Sequence, residues 1–242
     1  MGASVRSAPG RGCVCVHYRS DVTTDAGGEA DPVAGRVVTV SPERLVGWVE
    51  RFADRHGEVG LEHVAGDAGV LRLVADDGAV ATCRAPIPGT YDTPDAIVAA
   101  MAVERVGLLV IRKGGFSVGA AQGTDIIAHR TGSRYLQGRT AAGGWSQQRY
   151  ARRRDNQADA GFALSGKAVE EVVLPLVSTL TRVVAGGDRA AVRTVLAQRG
   201  LEPIAGLLTP AMLAVGPPKR TSLDELLAKA RLVHIELREP AQ

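Results

Sequence analysis

The 242-residue chain is short of aromatic side chains, of cysteine and of long apolar runs, and each shortage narrows what it can be. Aromatics make up 4% of the residues, so the core must be filled by Ala, Val and Leu, and an aromatic outside an apolar run stands out. Three cysteines, Cys13, Cys15 and Cys83, make a poor disulfide framework. The Cys13-Val14-Cys15 spacing is tighter than a structural zinc knuckle uses, and no second pair follows. Unpaired thiols in a reducing cytoplasm are the better reading. His17, His56, His63, His129 and His234 are scattered without ligand spacing, so no metal and no cofactor is expected. No apolar run reaches the ~18 residues of a membrane span. The N-terminus has arginines but no apolar core of a signal peptide. A cytoplasmic protein with no membrane partner is therefore expected. The rest, 45% hydrophobic and 23% charged, is ordinary for a globular chain long enough to bury a core.

The most informative absence is local. Between Ile126 and Arg154 there is no acidic residue, while Arg130, Arg134, Arg139, Arg149, Arg152, Arg153 and Arg154 all fall there. The whole chain is only +3, so the remainder without these seven is net negative. Positive charge is concentrated, and concentrated charge points to a polyanion. Four of these arginines occupy six positions, Arg149 to Arg154, on one broad side of about two helical turns, with Asn156 and Gln157 following. Paired hydrogen bonds from guanidinium groups suit phosphate; a merely solvated helix face is the bland alternative.

Inside the run stands Gly143-Gly144-Trp145-Ser146-Gln147-Gln148-Arg149. The two glycines permit close backbone approach just before a helix start, where N–H groups are free. Gln147 and Gln148 each offer a donor and an acceptor but no strong base. Such amides can position a water and stabilise developing charge, which suits ester cleavage assisted by a substrate hydroxyl. Trp145 either stacks on a base or ribose or packs the helix start.

Residues 1 to about 35 lack periodicity and are expected to be a disordered tail. A small αβββ unit is expected over 36–90: a short strand near Val37, a helix from Pro42 capped by Ser41, and three β segments, 59–64, 70–75 and 79–84. Asp76-Asp77-Gly78 reads as the turn between the last two. The remainder, 91–242, forms a second domain. It opens with a helix after Thr93, then a meander of strands at 107–112, 116–121 and 125–131 with glycine-containing turns. A long helix from Trp145 towards Pro175 follows. Next come a strand over 179–185, a helix after Asp188 to Gln198, a strand within 207–215, a helix over 223–230 capped by Ser222, and a last strand at 232–237. The class is α/β (α+β). Lys113-Gly114-Gly115 reads as a hairpin turn; Gly186-Gly187-Asp188 reads as a tight turn into a helix, although an anion fits there too.

The stretch from His129 to Arg149, His-Arg-Thr-Gly-Ser-Arg-Tyr-Leu-Gln-Gly-Arg-Thr-Ala-Ala-Gly-Gly-Trp-Ser-Gln-Gln-Arg, resembles the actinobacterial branch of the Vms-type release-factor-like peptidyl-tRNA hydrolases. More distantly it is similar to the middle domain of class-one eukaryotic and archaeal release factors, with its Gly-Gly-Gln loop. The resemblance implies a ribonuclease H-like mixed sheet whose catalytic loop leads into a long helix. It also implies entry into the A site of the large ribosomal subunit, where a stalled nascent chain is freed from tRNA. The family's motif glutamine falls on Gln147, its arginine pair and asparagine on Arg153, Arg154 and Asn156, and a basic position before the glycines on Arg139. In release factors the glutamine directly follows the glycines; here Trp145 and Ser146 intervene, and Gln148 stands as the alternative to Gln147.

The expected activity is that of a peptidyl-tRNA hydrolase, with Gly143, Gly144, Ser146, Gln147 and Gln148 at the reaction centre. Arg139, Arg149, Arg152, Arg153, Arg154, Asn156 and Trp145 would contact RNA. The expected partners are the ribosome, peptidyl-tRNA and ribosomal RNA, met by a monomer. Two alternatives stay open: an endonuclease cutting the tRNA acceptor end, and a non-catalytic ribosome- or RNA-binding protein.

Overall fold

Two five-stranded sheets organise the chain, and the last strand of the sequence returns to the first sheet. The computed structural model describes residues 35–64, 66–133 and 146–240; for position 63 and for 146–158 it describes the backbone. The expected tail at 1–35 falls almost wholly outside these residues.

The first sheet begins with β1 (Arg36–Val40), followed by α1 (Pro42–His56), then β2 (Val59–His63), β3 (Val70–Ala75) and β4 (Val80–Arg84). Pro42 sits at the first position of α1, where a missing N–H costs nothing. Ser41 holds the cap position, as expected, but its side chain makes no capping bond. Leu45, Val49 and Phe52 form the apolar stripe of α1 and are buried against the sheet. Strand alternation does the same from below: Leu71, Leu73, Ala81 and Cys83 point inward, while Arg72 and Arg84 stay exposed. Burial pushes the Cys83 thiol up to about 12, so it stays protonated and inert.

α2 (Pro94–Val103) packs beside α1, its start capped by the Thr93 hydroxyl accepting from the Ala96 N–H at 3.1 Å. The second sheet then opens with β5 (Arg105–Arg112), β6 (Gly115–Gln122) and β7 (Asp125–Ser133), the antiparallel meander that its turns predict. α3 (Ser146–Val172) leads through a 3-10 turn over Leu174–Thr179 to β8 (Arg182–Gly187), α4 (Arg189–Leu196), α5 (Glu202–Gly206), β9 (Leu208–Leu213), α6 (Arg220–Ala230) and β10 (Val233–Arg238). β8 is parallel to β5, and β9 is parallel to β8. The order β7-β6-β5-β8-β9 is the ribonuclease H-like arrangement. α3 and α4 cover one face around Leu109, Ile111 and Val118, and α6 covers the other around Leu108 and Val110.

Three local expectations need correction. The strand expected from Thr179 begins only at Arg182, because Thr179 closes the 3-10 turn with its hydroxyl on the Leu176 carbonyl at 2.8 Å. Ser222 is not a cap: α6 starts earlier, at Arg220, and Ser222 is buried with its hydroxyl donating to the Pro217 carbonyl. The short α5 has no counterpart among the elements expected from sequence. By contrast Asp188 caps α4 as expected, accepting from the Ala190 and Ala191 N–H groups at 2.9 and 3.4 Å.

β10 lies between β1 and β4, antiparallel to both. The first sheet is thus closed by a strand that follows the whole second sheet in sequence. Between the two sheets sits a buried ion pair. The Arg182 Nε donates to Glu104 Oε1 at 2.7 Å, and its Nη2 to Glu104 Oε2 at 3.1 Å and to the Ala230 carbonyl at 3.1 Å. The Thr181 hydroxyl also donates to Glu104 Oε1, at 2.9 Å. One bidentate contact therefore ties the end of α2, the start of β8 and the end of α6.

Candidate functional site

The acid-free segment bridges β7 and α3. β7 is the outer strand of its sheet, paired only with β6, and it ends with Ser133 opposite Gly115 in the β5–β6 turn region. Its register is fixed by Ser117, whose hydroxyl shares a 2.8 Å hydrogen bond with that of Thr131. The chain therefore leaves the sheet at the end where β5, β8 and β9 also finish.

α3 runs back along the sheet from that same end. Gly161 lies against the Lys113 carbonyl just past β5, and Val173 lies against Gly107 near the start of β5. The helix is thus antiparallel to β5. Fifteen residues of helix, 146 to 160, precede Gly161, about 22 Å at the α-helical rise. They carry the chain past the end of the sheet.

Side chains fix the rear half of α3. Ala168, Val169 and Val173 are buried in the sheet-facing core. Ser165 donates to the Gly161 carbonyl at 2.8 Å, and the Gln198 amide donates to the Phe162 carbonyl at 2.9 Å. Gly166 leaves room there for the end of the Gln198 side chain, which a Cβ would displace. A glycine that costs helix propensity is in this helix the docking point for the end of α4. Glu171 adds ion pairs to Arg130 on β7 and to Lys167 at 3.8 Å.

Of the residues singled out in the sequence, Arg134, Arg139, Gly143, Gly144 and Trp145 lie outside the described residues. Ser146, Gln147, Gln148, Arg149, Arg152, Arg153, Arg154 and Asn156 all fall on the first three turns of α3. Arg130 is the member of the arginine run whose side chain is described. Arg130 is neutralised by Glu171, so it belongs to the docking of α3 and not to a free cationic surface. Its partner is 41 positions away in sequence, which no local pattern reveals. His129, on β7 opposite Gly119, is exposed.

At the same end of the sheet, Gly187 turns the chain from β8 into α4 with φ of +92°, and a Cβ there would strike the Ile111 carbonyl. The anion considered for this turn has a competitor in place, because the Asp188 carboxylate occupies the first N–H groups of α4. The tight-turn reading holds. Among the described residues, no group of three or more His, Cys, Asp or Glu side chains is placed to hold a metal ion, and no helix is long and apolar enough to cross a membrane.

The second sheet is mixed, with β7 as its outer strand and the long α3 next in the chain among the described elements. Residues 104–236, more than half of the chain, match the family described as Actinobacteria/chloroflexi VLRF1 release factor. The chain belongs to that family. No curated protein matches it. Among solved structures it is similar to the archaeal translation termination factor aRF1, with 16% identity, a TM-score of 0.42, and coverage of 65% of this chain and 48% of that one. A structure described as an archaeal protein gives 14% identity and a TM-score of 0.38, covering 63% of this chain and 47% of that one. The chain thus spans about half the length of these structures.

Proposed function

We propose that the protein is a peptidyl-tRNA hydrolase that releases nascent chains from tRNA on stalled ribosomes or isolated large subunits. The observation that carries this reading is the joint position of the motif in a release-factor family domain. Gly143, Gly144 and Trp145 directly precede α3 in sequence, and Ser146, Gln147 and Gln148 open that helix, ahead of the part docked on the sheet.

In this reading the Gln147 amide positions a water, or the terminal ribose hydroxyl that assists it, at the ester between peptide and tRNA. The water oxygen bonds to the ester carbonyl carbon, the bond from that carbon to the ribose oxygen breaks, and the ribose oxygen takes up a proton. An amide can hold both partners without itself exchanging a proton. Gly143 and Gly144 let the loop enter a narrow channel. Arg139, Arg149, Arg152, Arg153, Arg154 and Asn156 hold phosphates of the tRNA acceptor stem or ribosomal RNA, with Trp145 against a base or ribose. The protein works as a monomer in the cytoplasm, in the A site of the large subunit, without metal or cofactor. Residues 36–90 and 91–242 serve as two functional units, the second bearing the chemistry.

A cut at the tRNA acceptor end is the rival reaction, and the released tRNA distinguishes them. Ester hydrolysis leaves an intact CCA end, whereas an endonuclease removes it.

A further inference from the structure

Beyond the loop, the second sheet carries another cationic feature, on its opposite edge. α4 and β9 enclose a groove of about 150 Å³ lined by Arg189, Val192, Arg193, Leu208, Thr209 and Pro210 among others. Arg189 and Arg193 are one helical turn apart on α4 and both exposed. Arg189 Nη1 donates to the Pro210 carbonyl at 3.2 Å, which holds its guanidinium across the groove and leaves its other N–H groups uncommitted. Arg193 has no side-chain partner among the described residues. Four other cations of this domain, Arg130, Lys167, Arg220 and Lys229, each hold a carboxylate, whereas no carboxylate pairs with Arg189 or Arg193 among the described residues.

From this we infer that the groove between α4 and β9 is a second phosphate-binding site for RNA, gripped by Arg189 and Arg193. The inference rests on the proposed ribosomal function for the identity of the polyanion. Geometry favours RNA over an added peptide strand. β9 is the open edge of the sheet, but Pro210 in its middle has no N–H to offer a pairing strand. The floor of Val192 and Leu208 suits the apolar face of a ribose, and the Thr209 hydroxyl adds a donor for a phosphate oxygen.

The position relative to the loop fits as well. β7 and β9 are the two edges of one five-stranded sheet, four strand spacings or roughly 19 Å apart. Arg189 starts α4 at the end of the sheet where β7 ends, and exposed Lys113 lies at that end in the β5–β6 turn. An RNA backbone that crosses this end of the sheet past Lys113 can therefore follow α4 from Arg189 to Arg193 into the groove beside the first residues of β9.

Binding to isolated large ribosomal subunits, and to a double-stranded RNA hairpin as a sequence-neutral probe, tests the site across a salt series. Arg189→Gln with Arg193→Gln is expected to weaken both and to lower the salt slope by about two, close to one for each phosphate no longer held. Arg193→Gln alone removes a side chain that holds nothing else in the fold, and is expected to give about half of that slope change. It keeps the test decisive should the double variant melt early. Affinity and slope both unchanged would overturn the site. So would loss of binding to polyglutamate with RNA binding intact, since the groove would then serve an acidic polypeptide. If the wild type releases no peptide, yet the groove variants still lose RNA, the hydrolase reading fails and the groove stands.

Discussion

Glu104 and Arg182 are the least exposed ion pair of the described residues, with Glu104 5% and Arg182 9% exposed. Such a pair adds little net stability over an apolar contact, but stripping one member leaves a charge without a partner. Glu104→Ala is expected to destabilise the fold by about 3 to 5 kcal/mol, read from urea unfolding. Destabilisation below about 1 kcal/mol would mean that water replaces the carboxylate. Asp77 is the complementary case, an exposed carboxylate whose effect appears only with pH. The Ala79 N–H and then His56 hold its carboxyl below the ordinary value of 3.8, with contacts of 2.9 and 2.8 Å. A depressed carboxyl contributes stability above its unfolded value and loses it as pH falls through the folded one. Asp77→Asn should therefore lower the melting temperature at neutral pH, and the gap from wild type should close as pH falls through and below the ordinary carboxyl value of 3.8. A gap that stays constant over this range would show that the charge has no part in it.

At the scale of elements, α3 divides into a docked rear and a projecting front. Ser165, Ala168, Val169 and Val173 anchor the rear, and Gly166 admits Gln198. The arginines at 152 to 154 belong to the front, before the first anchoring residue. Exchanging Arg152, Arg153 and Arg154 for Gln is expected to leave the fold intact and lower the salt slope of large-subunit binding by two to three, roughly one per phosphate released. An unchanged slope would assign them to a solvated face. Most elements were legible in the sequence because their signals are local. The meander shows in its apolar runs and its Lys113-Gly114-Gly115 and Gln122-Gly123-Thr124 turns, and α4 in its Asp188 cap. Where signals mislead, a specific competitor wins. Val183 to Ala185 suggested a strand that reached back to Thr179, but Pro175 and the Leu176 carbonyl make that stretch a 3-10 turn. Ser222 preceding Leu-Asp-Glu imitates a cap, yet its hydroxyl is spent on the Pro217 carbonyl one turn inside the helix. Five-residue α5 is too short to show a period.

Over the whole molecule, what the sequence concealed is pairing at a distance. Alternation at 232–237 shows which face of β10 is buried, with Val233, Ile235 and Leu237 inward, but not that its neighbours are β1 and β4. The same holds for Arg130 with Glu171, and for the groove arginines, which come together with Thr209 only when β9 lies beside α4. The motif at 143 to 149 needed no such help, since its glycines, amides and arginines are contiguous. The fold contributes the frame: the edge strand β7, which ends at Ser133, and the 27-residue helix α3, whose first residues are Ser146 to Arg149 of the motif. The family match covers residues 104–236, which include this motif. The most direct test is release of labelled peptide from peptidyl-tRNA on isolated large ribosomal subunits, comparing wild type with Gln147→Ala and Gln148→Ala. A positioned amide at Gln147 predicts release by the wild type with an intact CCA end, slowed about 100-fold or more by Gln147→Ala, with subunit binding retained. Release at the wild-type rate by Gln147→Ala would contradict the assignment.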